Sequence, residues 1–285
     1  MSLSKEIQVG DITIGGDSPL VLIAGPCVIE SEELALNTGR EMKCLCEKLG
    51  VPYIFKSSYL KDNRTSIHSF TGPGVVEGMG ILRRVKETLD VPVLSDIHSV
   101  NHIPLAEKVL DVIQIPSFLC KQTSLITEAA KTGKPINVKK GQFLAPSNIR
   151  FVIDKITTQG NENILLTERG TCFGYFDIIN DFRSLPIMRS YGYPVVYDAT
   201  HSIRTMGLQS SEREGGHPEF VAYLTRAAVA AGCDALFIEV HPAPGEALCD
   251  ASSQFALDQV ETLVKEAKLL HQFVRRELSV LPKVV

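Results

Sequence analysis

The sequence lacks the features typical of membrane, secreted and nucleic-acid-binding proteins. It contains no apolar run near the roughly 20 residues that span a bilayer, and residues 1–19 lack the apolar segment of a signal peptide. Lysine and arginine (29) are outnumbered by aspartate and glutamate (33), so a net charge of −4 does not favour a nucleic-acid or polybasic membrane surface. Seven cysteines in a chain of this length favour a reducing compartment. We therefore expect a cytoplasmic protein without nucleic-acid or membrane partners.

The chain also lacks any sign of division into several parts. No Pro/Ser-rich linker, low-complexity tract or internal repeat interrupts its 285 residues. Its hydrophobic content of 44% and charged content of 22% are ordinary for a globular protein. One α/β barrel commonly needs this length, so we predict a single domain over residues 1–285.

Eight short apolar runs alternate with segments of helical pattern. This alternation is typical of a parallel sheet, and eight repeats predict an α/β protein with a closed (β/α)8 TIM barrel. Residues 6–16 alternate weakly around Gly10-Asp11 and predict a short N-terminal β-hairpin at the barrel's N-terminal end. The predicted strands are 20–25, 53–57, 92–96, 112–115, 136–139, 164–168, 195–199 and 235–240. The predicted helices are 32–49, 74–89, 103–109, 124–132, 147–157, 182–191, 218–231 and 255–278.

Unusual side chains lie at or just past the ends of these apolar runs. In a TIM barrel the carboxyl ends of the strands form the active site, and packing alone does not explain polar residues at every strand end. The loop 200–216 is long, polar and Gly-containing, so we expect a mobile lid there. The strand-end residues are Cys27, Lys56, Asp96, Gln114, Lys139, Arg169, His201 and Glu239.

One group of these residues is cationic. Arginine offers bidentate donors to phosphate or carboxylate, and lysine offers a point charge. Their number indicates a substrate set with more than one phosphate or carboxylate, although any single one could be a solvated surface residue. A Schiff-base role for Lys56 or Lys139 is chemically open, but the crowding of cations favours anion binding. The group comprises Lys56, Lys61, Arg64, Lys139, Lys140, Arg169 and Arg183.

A second group could bind a metal ion. Thiolate, imidazole and carboxylate together suit zinc or iron(II), and Cys27, His201, Glu239 and Asp250 offer these donors. They are far apart in sequence and form no compact ligand motif. A lone cysteine is usually a small buried hydrophobe, so spacing alone leaves the metal site open.

Several segments taken together resemble the 3-deoxy-D-manno-octulosonate 8-phosphate synthases. The resemblance covers roughly residues 20–270 and implies condensation of phosphoenolpyruvate with D-arabinose 5-phosphate, a transferase reaction that serves lipopolysaccharide biosynthesis. It also implies a homotetramer. The segments include Ala24-Gly25-Pro26-Cys27, Phe55-Lys56-Ser57-Ser58, Lys61-Asp62-Asn63-Arg64-Thr65-Ser66, Asn137-Val138-Lys139-Lys140-Gly141, Thr167-Glu168-Arg169-Gly170, Asp198-Ala199-Thr200-His201 and Glu239-Val240-His241-Pro242.

The resemblance also implies residue roles. Lys56 and Lys61 would hold the carboxylate side of phosphoenolpyruvate, and Lys139 and Arg169 its phosphate. The phosphate of arabinose 5-phosphate would be bound by Asn63, Arg64 and Thr65, in a neighbouring subunit's site. The complete substrate-binding set is Lys56, Ser58, Lys61, Asn63, Arg64, Thr65, Asp96, Gln114, Ser117, Asn137, Lys139 and Arg169. The implied catalytic residues are Lys61, Asn63, His201 and Asp250.

The same family divides into metal-dependent and metal-independent members. The metal-independent members carry asparagine where this chain has Cys27, and Asp250-Ala251-Ser252-Ser253-Gln254 matches a pattern favoured by the metal-dependent ones. The resemblance therefore implies a divalent transition metal, namely iron(II), zinc or manganese, bound by Cys27, His201, Glu239 and Asp250.

Three other functions are consistent with part of the pattern. The related heptulosonate 7-phosphate synthases use erythrose 4-phosphate, but their loop typically reads Lys-Pro-Arg-Thr-Ser where this chain has Lys61-Asp62-Asn63-Arg64-Thr65-Ser66. A Schiff-base aldolase and a non-catalytic sugar-phosphate-binding barrel are the two remaining alternatives.

Overall fold

Eight parallel strands close into a barrel in the computed structural model, which describes residues 4–64, 66–172, 174–208 and 212–277. Each strand pairs with the next along the chain, and the last pairs with both the first and the seventh, which closes the ring. The predicted (β/α)8 TIM barrel is therefore confirmed. The barrel strands are β3 (Val21–Gly25), β4 (Tyr53–Lys56), β5 (Val93–Asp96), β6 (Val112–Ile115), β7 (Ile136–Lys139), β8 (Ile164–Glu168), β9 (Val195–Asp198) and β10 (Ala235–His241).

Every residue of these eight strands is buried. Strands covered on both faces read as continuous apolar runs rather than as alternating patterns, which is why their positions could be predicted. The bounds of β6, β7 and β8 agree with the prediction, and the others differ by one residue at an end. The polar residues that break the apolar runs, such as Lys56, Asp96 and Lys139, come at the carboxyl ends and face the barrel mouth.

Helices connect consecutive strands on the outside of the barrel. The first begins after Ser31, whose side chain accepts a hydrogen bond from the Leu34 amide at 3.1 Å, and it ends at Gly50, which has φ 59°. None of the helices in the described ranges is both long enough and apolar enough to cross a bilayer. The helices are α1 (Glu32–Leu49), α2 (Val75–Leu89), α3 (Ile103–Ala106), α4 (Thr123–Lys131), α5 (Arg150–Thr157), α6 (Ser184–Arg189), α7 (Val221–Ala231) and α8 (Val260–Glu277).

Some helix boundaries differ from the prediction. Helices α5 and α7 begin later because 3-10 turns that start at Pro146 and Pro218 precede them. The predicted helix 255–278 was wrong at its start: Phe255–Ala256 forms a short strand, β11, that pairs in parallel with the end of β10. The last residue of that prediction, Leu278, lies outside the described residues.

The N-terminal hairpin fills the bottom of the barrel, as predicted. Strands β1 (Ile7–Val9) and β2 (Ile12–Ile14) pair antiparallel. Their side chains Ile7, Val9 and Ile14 are at most 2% exposed and join the apolar cluster of the barrel interior. The hairpin therefore closes the end opposite the strand-end polar residues.

Candidate active site

A cavity of about 420 Å³ lies at the carboxyl ends of the barrel strands. Six cationic side chains and four carboxylates line it, so the cavity carries an excess of positive charge although the chain as a whole is negative. This arrangement favours anionic ligands. The cations are Lys56, Lys61, Arg64, Lys139, Arg169 and Arg204, and the carboxylates are Asp62, Asp96, Glu239 and Asp250.

Glu239 forms ion pairs with two lysines on one side of the cavity. Lys56 forms a close ion pair with its Oε1, and Lys61 lies 3.7 Å from the same oxygen. Lys56 also donates a hydrogen bond to the Cys27 carbonyl at 3.0 Å. Burial alone would raise the pKa of Glu239, but the charges of Lys56, Lys61 and His201 outweigh it and hold that pKa below its usual value. Glu239 is therefore an anion inside the barrel mouth.

Asp198 joins Lys139 to His201 on the other side. Its Oδ2 lies 2.5 Å from the Lys139 Nζ and 2.8 Å from the His201 Nδ1, and its Oδ1 accepts the His201 amide at 3.0 Å. Burial opposes ionisation of this fully buried carboxyl, but the charges of His201 and Lys139 hold its pKa well below the usual value. Because Nδ1 faces Asp198, the His201 Nε2 is directed at Glu239 and Asp250, 3.7 and 3.6 Å away.

Among the residues that the structure describes, two groups could hold a metal ion. The ligand atoms of His201, Glu239 and Asp250 lie within 4.8 Å of one another, and so do those of Cys27, Cys249 and Asp250. Asp250 belongs to both groups and has φ 51°, an unusual conformation for a non-glycine residue. Thiolate, imidazole and carboxylate donors suit zinc or iron(II), so the residues present fit such an ion. The other three sequence-predicted ligands, Cys27, His201 and Glu239, thus each have a ligand atom within 4.8 Å of one of Asp250.

Cys249 adds a second thiol to this cluster. Its Sγ lies 3.1 Å from the Cys27 Sγ and accepts a hydrogen bond from Arg64 at 2.9 Å. Burial, followed by the contact with Cys249, raises the pKa of the Cys27 thiol well above its usual value. The thiol of Cys27 therefore stays protonated unless a cation compensates the charge of its thiolate. All seven cysteines are free.

The remaining wall of the cavity presents hydrogen-bonding groups. The Ser58 hydroxyl donates to the Asp96 Oδ1 at 2.5 Å, and the His98 Nε2 lies 3.2 Å from the Asp96 Oδ2. Burial opposes ionisation of Asp96, but His98 and the nearby lysines keep its pKa well below the usual value. A charged acceptor at this point can bind a hydroxyl group of a substrate.

Asn137 lies behind Gln114 and is hydrogen-bonded to it. Asn137 donates to the Gln114 Oε1 at 2.9 Å and accepts from the Thr167 hydroxyl at 2.6 Å. Gln114 lines the cavity, whereas Asn137 is fully buried and does not. Asn137 is therefore placed to orient Gln114 rather than to line the cavity itself.

The other predicted substrate-binding residues divide into two sets. Asn63, Arg64, Ser117 and Arg169 line the cavity, and Arg64 lies 3.3 Å from the Asp250 Oδ1 of its own chain. Thr65 lies outside the described residues. The predicted position of Arg64 in a neighbouring subunit's site stays a prediction.

Two cations expected at the barrel mouth are elsewhere. Lys140 is 2% exposed and its Nζ lies 3.3 Å from the carbonyl oxygens of Gly141, Leu144 and Gly170. Arg183 is exposed and pairs with Asp181, two residues before it. Neither lines the cavity, so these two residues do not belong to the anion-binding group.

Three site residues were missed by sequence reasoning. Asp198 and Cys249 lie three residues and one residue from the predicted ligands His201 and Asp250, and Arg204 follows His201 by three. Asp198 also ends a barrel strand, which is the signal that could have identified it. Cys249 and Arg204 lie in loops, and only the three-dimensional structure brings Cys249 to Cys27 and Arg204 to Asp250.

Comparison of the sequence with known proteins identifies the family of this chain. Residues 2–275 match the family model described as the DAHP synthetase I family. A protein of Trichlorobacter lovleyi named 2-dehydro-3-deoxyphosphooctonate aldolase is 55% identical over 273 residues, which cover 96% of this chain and 100% of the relative. Proteins of the same name from Geobacter metallireducens and Geobacter sulfurreducens are 52% and 50% identical with the same coverage. This chain, a barrel with a cation-lined mouth, therefore belongs to the DAHP synthetase I family.

Proposed function

We propose that this protein condenses phosphoenolpyruvate with D-arabinose 5-phosphate and water to give 3-deoxy-D-manno-octulosonate 8-phosphate and phosphate. The observation that carries the proposal is the gathering of six cations in one cavity beside His201, Glu239 and Asp250. The two substrates bring two phosphates and a carboxylate, and these six cations can pair with those groups. The name of the relatives described above, which match over their full length, supports the same reaction. The enzyme is then a C–C bond-forming transferase of lipopolysaccharide biosynthesis.

The phosphoenolpyruvate end of the cavity is formed by four cations. Lys56 and Lys61, which both lie near Glu239, would hold the carboxylate. Lys139 and Arg169, on β7 and just past β8, would hold the phosphate, with help from the backbone of Ser117, which lines the same cavity. Buried cations that are fixed before the substrate arrives stabilise developing charge without reorganisation.

The arabinose 5-phosphate end involves polar residues of neighbouring loops. Asn63 and Arg64 line the cavity and offer donors to the second phosphate, and Thr65 belongs to the same proposed set. Asp96, which accepts a hydrogen bond from Ser58, offers a charged acceptor to the sugar hydroxyls. Gln114 lines the same cavity. Asn137 contributes by orienting Gln114.

The reaction requires these residues to bring two carbon atoms together. Carbon 3 of phosphoenolpyruvate attacks the aldehyde carbon, and carbon 2 develops oxocarbenium character and is captured by water. The resulting hemiketal phosphate then loses phosphate by cleavage of its C–O bond. Lys61 and Asn63 would position the reactants. The carboxylates of Glu239 and Asp250 lie beside the imidazole of His201 and would move protons to and from the water and the aldehyde oxygen.

A divalent transition metal is the proposed cofactor. Cys27, His201, Glu239 and Asp250 would hold iron(II), zinc or manganese, and Cys249 is the nearest further donor. Such an ion would polarise a carbonyl oxygen or orient a water molecule. We further propose that the protein is a cytoplasmic homotetramer.

The test is phosphate release from phosphoenolpyruvate, measured with arabinose 5-phosphate and, separately, with erythrose 4-phosphate. We expect turnover with the five-carbon substrate, loss of that turnover after chelation, and recovery when a divalent metal is added. Activity that is unchanged after chelation would refute the metal proposal but remain consistent with the proposed synthase reaction. Turnover with erythrose 4-phosphate alone would assign the heptulosonate reaction instead, and borohydride trapping of a substrate adduct would assign a Schiff-base aldolase.

A pair of arginine variants sharpens this test. Arg169→Ala removes a cation that lines the cavity, whereas Arg183→Ala removes an exposed one that does not. We expect Arg169→Ala to lower kcat/KM by at least about 100-fold, because the variant loses a charged hydrogen bond to the substrate and the charge that neutralises it. Arg183→Ala should keep wild-type turnover, and equal effects of the two variants would refute the proposed role of Arg169.

A further inference from the structure

Arg204 is a cation of the cavity to which no role has been given. It follows β9 by six residues, in the loop that was expected to form a lid. Its carbonyl accepts the Ile178 amide at 2.9 Å, and its backbone forms a bridge with Gly216. The next residue, Thr205, donates to the Asp177 carboxylate at 2.9 Å. The base of the loop is therefore tied down on both sides, and Arg204 is held in place.

The Arg204 guanidinium faces the interior of the cavity. Its Nη1 lies 3.0 Å from the Asp250 Oδ1, and its side chain is only 20% exposed. Arg64 contacts the same oxygen at 3.3 Å, and the His201 Nε2 lies 3.6 Å from the Asp250 Oδ2. The Asp250 carboxylate therefore faces two guanidinium groups at the cavity wall, those of Arg64 and Arg204.

Arg169 and Arg204 line the same cavity. Burial lowers the pKa of Arg169, and the positive charge of Arg204 acts in the same direction. Two like charges held at one concave surface repel each other, and an anion bound between them would relieve this repulsion.

We propose that Arg204 is a further substrate-binding residue, which binds the phosphate of phosphoenolpyruvate together with Arg169. This inference rests on the proposed function, since it identifies the ligand of the pair as one of the two substrates. A guanidinium presents planar, parallel donors that match phosphate oxygens, and Arg204 can donate to phosphate with one edge while its Nη1 remains near Asp250. The phosphate would then lie between the strand-end cations and the loop after β9.

The experiment compares Arg204→Gln and Arg204→Lys with wild-type enzyme loaded with metal. Arg226→Gln is the control, because Arg226 is an exposed arginine on α7 that pairs with Glu266 and lies outside the cavity. Calorimetry measures the Kd of phosphoenolpyruvate alone, and steady-state kinetics gives the KM of each substrate. We expect Arg204→Gln to raise the Kd and KM of phosphoenolpyruvate about 10- to 100-fold, since a charged hydrogen bond is lost.

The variants also separate binding from folding and from metal retention. Arg204→Lys keeps the charge without the paired donors and should give an intermediate Kd, whereas Arg226→Gln should match the wild type. An unchanged Kd in a folded Arg204→Gln variant, or a rise in the arabinose 5-phosphate KM alone, would overturn the proposal. So would a loss of binding that saturating metal restores, because Arg204 would then act only through Asp250.

Failure of the proposed function would be recognised separately. The calorimetric measurement needs only phosphoenolpyruvate, so it can be interpreted even if arabinose 5-phosphate is not turned over. A wild-type enzyme that binds phosphoenolpyruvate but releases no phosphate would refute the proposed reaction and leave the role of Arg204 measurable. A wild-type enzyme that does not bind phosphoenolpyruvate would refute both.

Discussion

At the scale of single residues, Asp198 connects two parts of the proposed machinery. It is fully buried and contacts Lys139, proposed to hold phosphate, and His201, proposed to bind metal. Carboxylates that accept the second nitrogen of a metal-binding histidine fix its orientation. Asp198 does not line the cavity, and we expect it to act by positioning Lys139 and His201.

Replacing Asp198 with asparagine should show whether the charge of this side chain, rather than its volume, is required. The amide keeps the volume but cannot neutralise Lys139, and a buried cation left without a partner is unfavourable. We expect Asp198→Asn to weaken metal binding about 10- to 100-fold and to lower kcat, measured by metal titration and phosphate release. Asp181→Asn is the control, because Asp181 pairs with the exposed Arg183 outside the cavity. Unchanged metal affinity in Asp198→Asn would limit Asp198 to a role in packing.

Lys139 and Lys140 show which residue roles the sequence could not settle. Both were predicted as cations of the mouth because both end the same apolar run. Successive residues of a strand point to opposite faces, so only one of two neighbouring lysines could reach the cavity. Lys139 lines it, and Lys140 is buried among backbone carbonyls. The strand end was therefore predictable, but which of the two lysines faces the mouth depended on the register.

At the scale of elements, the end of β3 depends on a glycine. Gly25 has φ 157°, and a Cβ placed there would lie 2.1 Å from the Lys56 carbonyl oxygen on β4. Gly25 also pairs with Glu239 on β10. The close approach of three strands at this point brings Cys27, Lys56 and Glu239 to the same side of the cavity.

The variant Gly25→Ala should disturb both stability and the site. Relief of the clash requires β3 and β4 to move apart, and overpacking of this kind costs about 1–3 kcal/mol. Urea unfolding should show this loss, and phosphate release should fall because Lys56 shifts. Gly245→Ala is the control, since its added Cβ would meet no atom within 4 Å. If Gly25→Ala were as stable and active as Gly245→Ala, the close strand approach would not matter.

The elements themselves differed in how far the sequence could define them. Eight barrel strands were recognisable because each is buried on both faces and is therefore mostly apolar before its carboxyl end. Strand β11 was not recognised, because its two residues are too few for a pattern and its pairing depends on the distant β10. Likewise, Cys249 meets Cys27 across 222 residues of sequence, a contact that only the closure of the barrel creates.

At the scale of the whole molecule, the barrel separates function from stability. Polar and charged side chains occupy its carboxyl end, whereas the hairpin fills the opposite end with Ile7, Val9 and Ile14. Residues at the bottom of such a barrel usually serve stability, and those at the top serve chemistry. Changes at the two ends should therefore affect different properties.

Ile14→Ala tests this separation. Ile14 is fully buried in the inner apolar cluster, so its truncation removes transfer free energy and leaves a cavity, which together cost about 2–5 kcal/mol. We expect urea unfolding to show this loss while kcat and both KM values stay within about twofold of wild type, because the barrel strands alone still hold the mouth. Gln8→Ala, an exposed change on the same hairpin, should leave the unfolding midpoint nearly unchanged. A fall in kcat for Ile14→Ala under conditions where the protein is fully folded would mean that packing at the bottom of the barrel is transmitted to the strand ends, and the two ends would then not be independent.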